Sequence, residues 1–460
     1  MNSYLLLFTI LIFVPQAVLI FKNKNYFYLF SFLSLIYSGY LALINEISFI
    51  QVILFDIFIV LPFYSKFIIE YFNKRENYLN NLKEFNYIFI SLLLFIIFVF
   101  LLFFRLDENH IFIKIIGLKV WLFYIPLIFI TFLTLNTQKD IIRIFRMFII
   151  IGLISLLIII FIYALTNLFG IEKILRIFYF NIFYAYTGSS QGGSVFYLPG
   201  GVTLYRFAST FASAGSLSGF LYIYLFSISF LLVTDNKNQK FYLPILVIFL
   251  IASFLSGIRS MFLFIPLFFL LYSIFSFNLL IIFYSILGLI LFNGFMVLIN
   301  IDISSFFLYL FNYVAYIQIH YGSSLYELIT NNFFGNGLGF STNSARVVNL
   351  LLNSDIYNVN NSRYNNESYY AKIINELGVI GLALFIVFYM SIFLNIIKNF
   401  KLLKLQRKSI SLFFSFIIII ILSSLKGWTI DLYPLSFCLW MYLGLVLKYL
   451  LISYKYNNRP

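Results

Sequence analysis

The sequence predicts an all-α, polytopic membrane bundle of about 13 spanning helices, with 12–14 as the range. It also predicts one large extracytoplasmic loop carrying short helices. Three observations lead there. The chain is 63% hydrophobic and 10% charged. Apolar runs long enough to cross hydrocarbon recur from end to end. One long polar stretch, 300–372, interrupts this pattern with little basic charge. Backbone N–H and C=O groups in hydrocarbon must pair within their own segment, so the apolar runs read as helices. A barrel would need alternating strands, and 88–104 does not alternate.

The spans read in order as 3–21, 26–44, 47–64, 87–104, 120–135, 147–168, 214–233, 241–256, 261–277, 279–298, 374–397, 411–425 and 434–452. The first has no basic residue before it and no small-residue cleavage site, so it reads as a span and not a signal peptide. An odd count places the N-terminus outside and the C-terminus inside. Charge supports that phase. Loops 22–24, 73–84, 136–146, 234–240 and 398–408, with Lys66 and the C-terminal end, hold most of the 30 Lys and Arg. The firmest anchor is Lys398, Lys401, Lys404, Arg407 and Lys408. Three segments then lie outside: 169–213, the tight turn 257–260, and 300–372. Segments 171–187 and 304–321 read as helices lying flat in the outer interface. No internal repeat or soluble domain is visible, so 1–460 reads as one membrane domain.

Net charge is +14, which this topology explains without a nucleic-acid partner. Heavy use of Ile, Phe, Asn, Lys and Tyr reads as a codon bias, so the 62 Phe are weak evidence for an aromatic site. The single Cys438 excludes an intrachain disulfide, and no Cys/His cluster suggests zinc. His110 and His320 stand alone.

Two arginines are expected at the outer boundary. Arg259 sits in S-G-I-R-S-M between two spans, and Arg206 lies just ahead of the span at 214. A boundary guanidinium is costly unless it meets an anion or snorkels to headgroups. The two-span turn leaves Arg259 little room to snorkel. Arg binds phosphate through a rigid bidentate fork, and two forks on one face suit a diphosphate. They would also stabilise charge as that diphosphate leaves. No D-x-D occurs, and the acidic pair Asp107–Glu108 reads as a solvated loop pair, so no metal is indicated. Glu367 lies just before the apolar run that opens near Ile373. It reads as a base at a dry boundary or as a helix-start acid, and position alone favours the second. Glu376 fits the helix-start reading better still. Arg363 is a third anion contact or a solvated loop residue. Gly335, Gly337 and Gly339 form a loop permitting close backbone approach, with no preceding strand to make a nucleotide fold.

Together these pieces resemble the O-antigen polymerase and ligase family of Wzy-type enzymes. R-F-A-S-T-F-A-S-A at 206–214 is similar to that family's Arg followed by a small-residue and Phe turn. S-G-I-R-S-M at 256–261 resembles its Ser-x-x-Arg-Ser turn. F-F-G-N-G-L-G-F at 333–340, then E-S-Y-Y-A-K-I-I-N-E-L-G-V-I-G-L, resembles its glycine loop and the polar-aromatic helix start with E-x-G-x-x-G. The resemblance covers about 206–385, in order.

It implies an inverting, metal-independent glycosyltransferase without cofactor, in the cytoplasmic (inner) membrane with its active face outside. The substrate implied is an undecaprenyl-diphosphate-linked oligosaccharide, and the product is O-antigen or capsule. A flippase, a chain-length regulator and membrane lipid are the implied partners. Carried over, Arg206 and Arg259 hold the diphosphate and Glu367 orients or deprotonates the acceptor hydroxyl. Gly335, Gly337, Gly339, Ser368 and Tyr369 fall on the substrate side. Ligase relatives often carry His-Asn where this chain has Glu367-Ser368, which favours a polymerase. Many members have an Arg upstream of the glycine loop; here that region reads H-Y-G-S-S-L-Y-E-L-I, so Arg346 or Arg363 would have to substitute. The alternatives are a ligase, a lipid-linked oligosaccharide flippase or other transporter, and a metal-dependent transferase using Asp107–Glu108. A transporter usually needs charge near the midplane, and Asp56 is the main acidic residue deep in a span.

Overall fold

The structure is a computed structural model. It describes residues 3–44, 53–73, 86–105, 110–170, 173, 195–197, 203–205, 209–211, 214–276, 329–330, 332–342, 368–398, 406–425 and 435–457. Within these, the regular secondary structure is helical apart from one short β pair. The first two helices are α1 (Ser3–Lys22) and α2 (Asn25–Ile44). A π-helical segment, Asp56–Val60, runs straight into α3 (Leu61–Asn73). Then come α4 (Asn86–Phe103), α5 (Ile111–Leu122), α6 (Pro126–Thr134) and α7 (Gln138–Phe169). Strands β1 (Val195–Tyr197) and β2 (Thr203–Tyr205) pair antiparallel, Phe196 opposite Leu204. The remainder is α8 (Ala214–Thr234), α9 (Gln239–Leu255), α10 (Arg259–Ser276), α11 (Tyr369–Lys398), α12 (Arg407–Ser423) and α13 (Leu435–Asn457).

Among the described residues, seven helical stretches are long and apolar enough to cross a membrane: Asn86–Phe103, Ile111–Thr134, Gln138–Phe169, Gly215–Thr234, Asn236–Leu255, Tyr369–Asn395 and Leu435–Ser453. Burial sorts them. In α8 and α13, 83% and 89% of the spanning window is buried, so these two helices form the centre. In α4 and α9 the figures are 33% and 28%, so these helices are peripheral. Their exposed faces carry Leu93, Leu94, Ile97, Val247 and Ile251, the surface a lipid-facing helix presents.

Three stretches differ from the sequence expectation; the helix expected to end at 64 continues to Asn73. The loop expected at 136–146 is the first turns of α7. Thr137 caps it, accepting from Asp140 N at 3.1 Å and donating to Asp140 Oδ2 at 2.6 Å. Its 32 residues rise about 48 Å, which exceeds the hydrocarbon thickness, so its polar start resembles a loop in sequence. The span expected at 120–135 starts at Ile111 and is broken at 123–125, where Pro126 opens α6.

The contacts give the bundle two distinct ends. At one, Arg146 of α7 meets Asp235, just past α8, at 2.6 Å. Tyr242 of α9 donates to the same carboxylate at 2.5 Å, and Asn238 donates to both of its oxygens. Burial alone would raise the Asp235 pKa, but the Tyr242, Asn238 and Arg146 contacts outweigh it and hold the carboxyl below its ordinary value. Gln138 at the start of α7 bonds Ser453 near the end of α13. Lys24 pairs with Glu70 at 2.8 Å. Phe32–Phe148 and Phe226–Phe416 ring contacts bring the starts of α2 and α12 to this end too. Lys22, Lys24, Lys139, Arg143, Arg146, Lys237, Lys240, Arg407 and Lys408 therefore gather at the Asp235 end.

Candidate functional site

The opposite end is organised by a break in α11. Gly378 has φ 74° and ψ −175°, which only glycine adopts readily. In an unbroken helix Val379 N would bond Asn375 O. The kink frees both groups, and residues 332–342 take them up. Asn336 N donates to Asn375 O at 2.6 Å, and Val379 N donates to Phe333 O at 3.0 Å. The glycine loop is thus spliced into the hydrogen-bond ladder of α11.

Glycine is required at both sides of this splice. A Cβ on Gly378 would collide with Phe333 O and lie 2.6 Å from Gly335 N. One on Gly335 (φ 71°) would lie 2.6 Å from Glu376 O and Gly378 N. A second close pair holds the loop to α5: a Cβ on Gly117 would collide with Gly339 N, and one on Gly339 (φ 81°) with Ile113 O. The expected close backbone approach at Gly335 and Gly339 is therefore made to the protein's own backbone. Gly337 has φ 98°.

Glu376 closes the unit. It is fully buried, and each carboxylate oxygen accepts two hydrogen bonds. Oε2 accepts from Trp121 Nε1 at 2.7 Å and Gly339 N at 3.3 Å. Oε1 accepts from Ser341 N and Thr342 Oγ1, each at 2.9 Å. This corrects the helix-start reading of Glu376, which lies two turns into α11 and serves the loop. Lys372, one turn earlier on the same face, sets its ammonium 5.3 Å from the Trp121 ring centroid. Ser368, Lys372 and Glu376 form a buried polar stripe at i, i+4 and i+8.

More cations edge the loop. Arg105 Nη1 donates to Phe334 O at 3.1 Å and Gly335 O at 2.9 Å. Lys114 Nζ donates to Arg105 O at 2.5 Å. On the far face of α5, Lys119 pairs with the buried Asp56 at 2.6 Å, and Tyr124 donates to the same carboxylate at 2.7 Å.

Of the residues expected from sequence, the structure brings together Gly335, Gly337, Gly339, Ser368 and Tyr369. Ser368 and Tyr369 are buried, and Tyr369 N donates to Ser424 O beyond α12 at 3.0 Å. Arg259 opens α10, after a turn in which Gly257 has φ 65°. The Phe275–Phe414 contact makes α10 and α12 antiparallel neighbours, so Arg259 shares the end that holds Ser424 and Tyr369. Arg206, Arg346, Arg363 and Glu367 lie outside the described residues, as do Asp107, Glu108, His320 and the expected flat helices. Both flanks of Arg206 are fixed, however. β2 ends at Tyr205, and Ser209 (φ 53°) donates to Ser155 O of α7 at 2.8 Å, while Thr210 and Ser155 hydroxyls meet at 2.9 Å.

Sequence reasoning missed Trp121, Arg105, Lys114 and Lys372. Only the i, i+4 spacing of Lys372 and Glu376 on an apolar helix was a visible signal. The chain matches no protein-family model, and neither a curated protein nor a solved structure matches it.

Proposed function

We propose that the chain is a polysaccharide polymerase of the cytoplasmic membrane that joins undecaprenyl-diphosphate-linked repeat units outside the cytoplasm. On this reading about 13 spans cross the bilayer, with the Asp235 end inside and the glycine-loop end outside. The gathering of basic residues at the Asp235 end supports that orientation. The observation that carries the function is the union of two separate stretches. F-F-G-N-G-L-G-F and N-E-L-G-V-I-G, about 40 residues apart, are spliced into one unit at the end where Arg259 begins its helix.

A guanidinium in the first turn of a helix is unfavourable for the helix itself, because both are positive. The same pairing favours an anion placed there. Arg259, with Arg206, is assigned to the diphosphate of the donor lipid. The acceptor hydroxyl of an incoming repeat unit attacks the donor's anomeric carbon. The bond from that carbon to the phosphate oxygen breaks with inversion, and undecaprenyl diphosphate leaves. Glu367 takes the hydroxyl proton, while the arginines stabilise the charge on the leaving diphosphate.

Deleting the gene and examining surface glycan tests this. Single capped units are expected; absence of surface units would indicate a flippase, and unligated polymer a ligase.

A further inference from the structure

We propose that Glu376 is a positioning residue whose carboxylate serves as the built-in counter-anion of a donor nest in the 332–342 loop. Successive amides around a glycine of positive φ make a concavity suited to an anion. Here Gly339 N and Ser341 N, the Thr342 hydroxyl and the Trp121 indole N–H converge on one point, and Glu376 fills it. The nest is satisfied from within, so it is not free to hold a substrate phosphate. Its work is to fix the loop against α5 and the α11 kink, with the aromatic pair Phe333–Phe334 left exposed. On the polymerase reading above, on which this consequence rests, the loop then presents a preformed acceptor side.

The chemistry separates a carboxylate from its isostere. Glutamine can keep one accepting oxygen toward Ser341 N and Thr342 Oγ1. Its NH₂ would then face Trp121 Nε1 and Gly339 N, donor against donor. Alanine empties the nest and leaves room for a small carboxylate from solution.

The test uses the full chain in detergent, with Leu338→Cys as reporter because Leu338 is fully buried in the loop. Cys438, buried in α13, reports global unfolding in the same sample. Glu376→Gln and Glu376→Ala are expected to speed maleimide labelling of position 338 by about tenfold or more, with Cys438 still protected. Formate is expected to slow labelling again in Glu376→Ala and not in Glu376→Gln. Parental labelling rates in both variants, or acceleration in Glu376→Ala that formate leaves unchanged, overturn the proposal. Should either variant fail to insert, Thr342→Val removes one donor and keeps the carboxylate; parental labelling there overturns it equally. In polymerisation assays Glu376→Gln is expected to raise the apparent KM for lipid-linked repeat unit several-fold, with turnover at saturation nearly unchanged; an unchanged KM refutes the positioning role. Failure of the wild-type chain to make polymer would sink the polymerase reading alone, since the labelling results do not depend on it.

Discussion

Replacing Gly378 with alanine should release the glycine loop without unfolding the bundle. The native φ of 74° with ψ −175° costs a non-glycine residue about 1–3 kcal/mol. The new Cβ must also displace Phe333 O and Gly335 N, which breaks the splice. Two loop-to-helix hydrogen bonds are then at risk, Asn336 N to Asn375 O and Val379 N to Phe333 O, each worth about 1 kcal/mol. The sum is roughly 3–5 kcal/mol against the closed loop, or a rise in open population of roughly a hundred- to several-thousand-fold. Labelling of Leu338→Cys by a maleimide measures that population directly when reclosing outpaces the reagent. Cys438 in the central helix should stay protected, since neither lost hydrogen bond involves α13. A labelling rate within a few-fold of the parent would refute the splice. Equal exposure of Cys438 would show that the loop and the bundle open as one unit, which the same reasoning does not allow.

Other perturbations read separate parts of the molecule. Arg259→Ala should abolish long-chain glycan while the protein still inserts, and Arg259→Lys should not fully rescue, because a point charge lacks the fork; normal chain lengths on a glycan gel would rule out the diphosphate role. Glu367→Gln should accumulate single repeat units, and an unchanged ladder would return Glu367 to a helix-start acid. Gly444→Ala should destabilise the α6–α13 crossing by about 1–3 kcal/mol, read as a lower Cys438 exposure midpoint, since its Cβ would collide with Thr131 Oγ1 and Ile128 O. Thr131→Ala in the same chain should restore only part of that loss, because the Ile128 carbonyl remains. The Asp235 carboxyl is held below its ordinary value, so its stabilisation is present above about pH 4 and lost as pH falls through the lowered pKa. Asp235→Asn should therefore melt lower than the parent at neutral pH, and the gap should close below about pH 4; a gap that persists in acid would contradict this.

Helix positions were legible because a long apolar run has one physical outcome in lipid, and most helix bounds fall within a few residues of those runs. The polar start of α7 was not, because a helix that projects past hydrocarbon carries Arg143 and Arg146 as a loop would. The break between α5 and α6 was hidden by an apolar run that continues through it. At the candidate site, the glycine loop and the E-x-G segment were visible as separate pieces. Their union was not, since it depends on a ladder bond lost at Gly378 and regained across the loop. Glu376 looked like an ordinary helix-start acid because its donors come from Trp121, Gly339, Ser341 and Thr342, at separations of up to 255 residues. A periodicity argument sees only neighbours a turn away.

The self-satisfied nest narrows where phosphate can be held. A glycine-rich loop at a dry boundary invites assignment to the diphosphate, because bare amides bind phosphate oxygens well. Two of its amides are committed to Glu376, another to Asn375 O, and the carbonyls of Phe334 and Gly335 already receive Arg105. Opening those bonds to admit a lipid diphosphate would also bring that anion up against the Glu376 carboxylate. On the proposed polymerase reading, charge for the leaving group then comes from guanidinium groups outside the loop. That reading gives this role to Arg259, which opens α10 at the end of the bundle that holds Ser424 and Tyr369. On the same reading the loop is left to the acceptor, where shape and exposed aromatic surface matter more than charge. Arg259→Ala should accordingly weaken binding of a non-hydrolysable undecaprenyl diphosphate analogue, whereas Glu376→Gln should leave that binding intact. Equal loss in both variants would return the diphosphate to the loop.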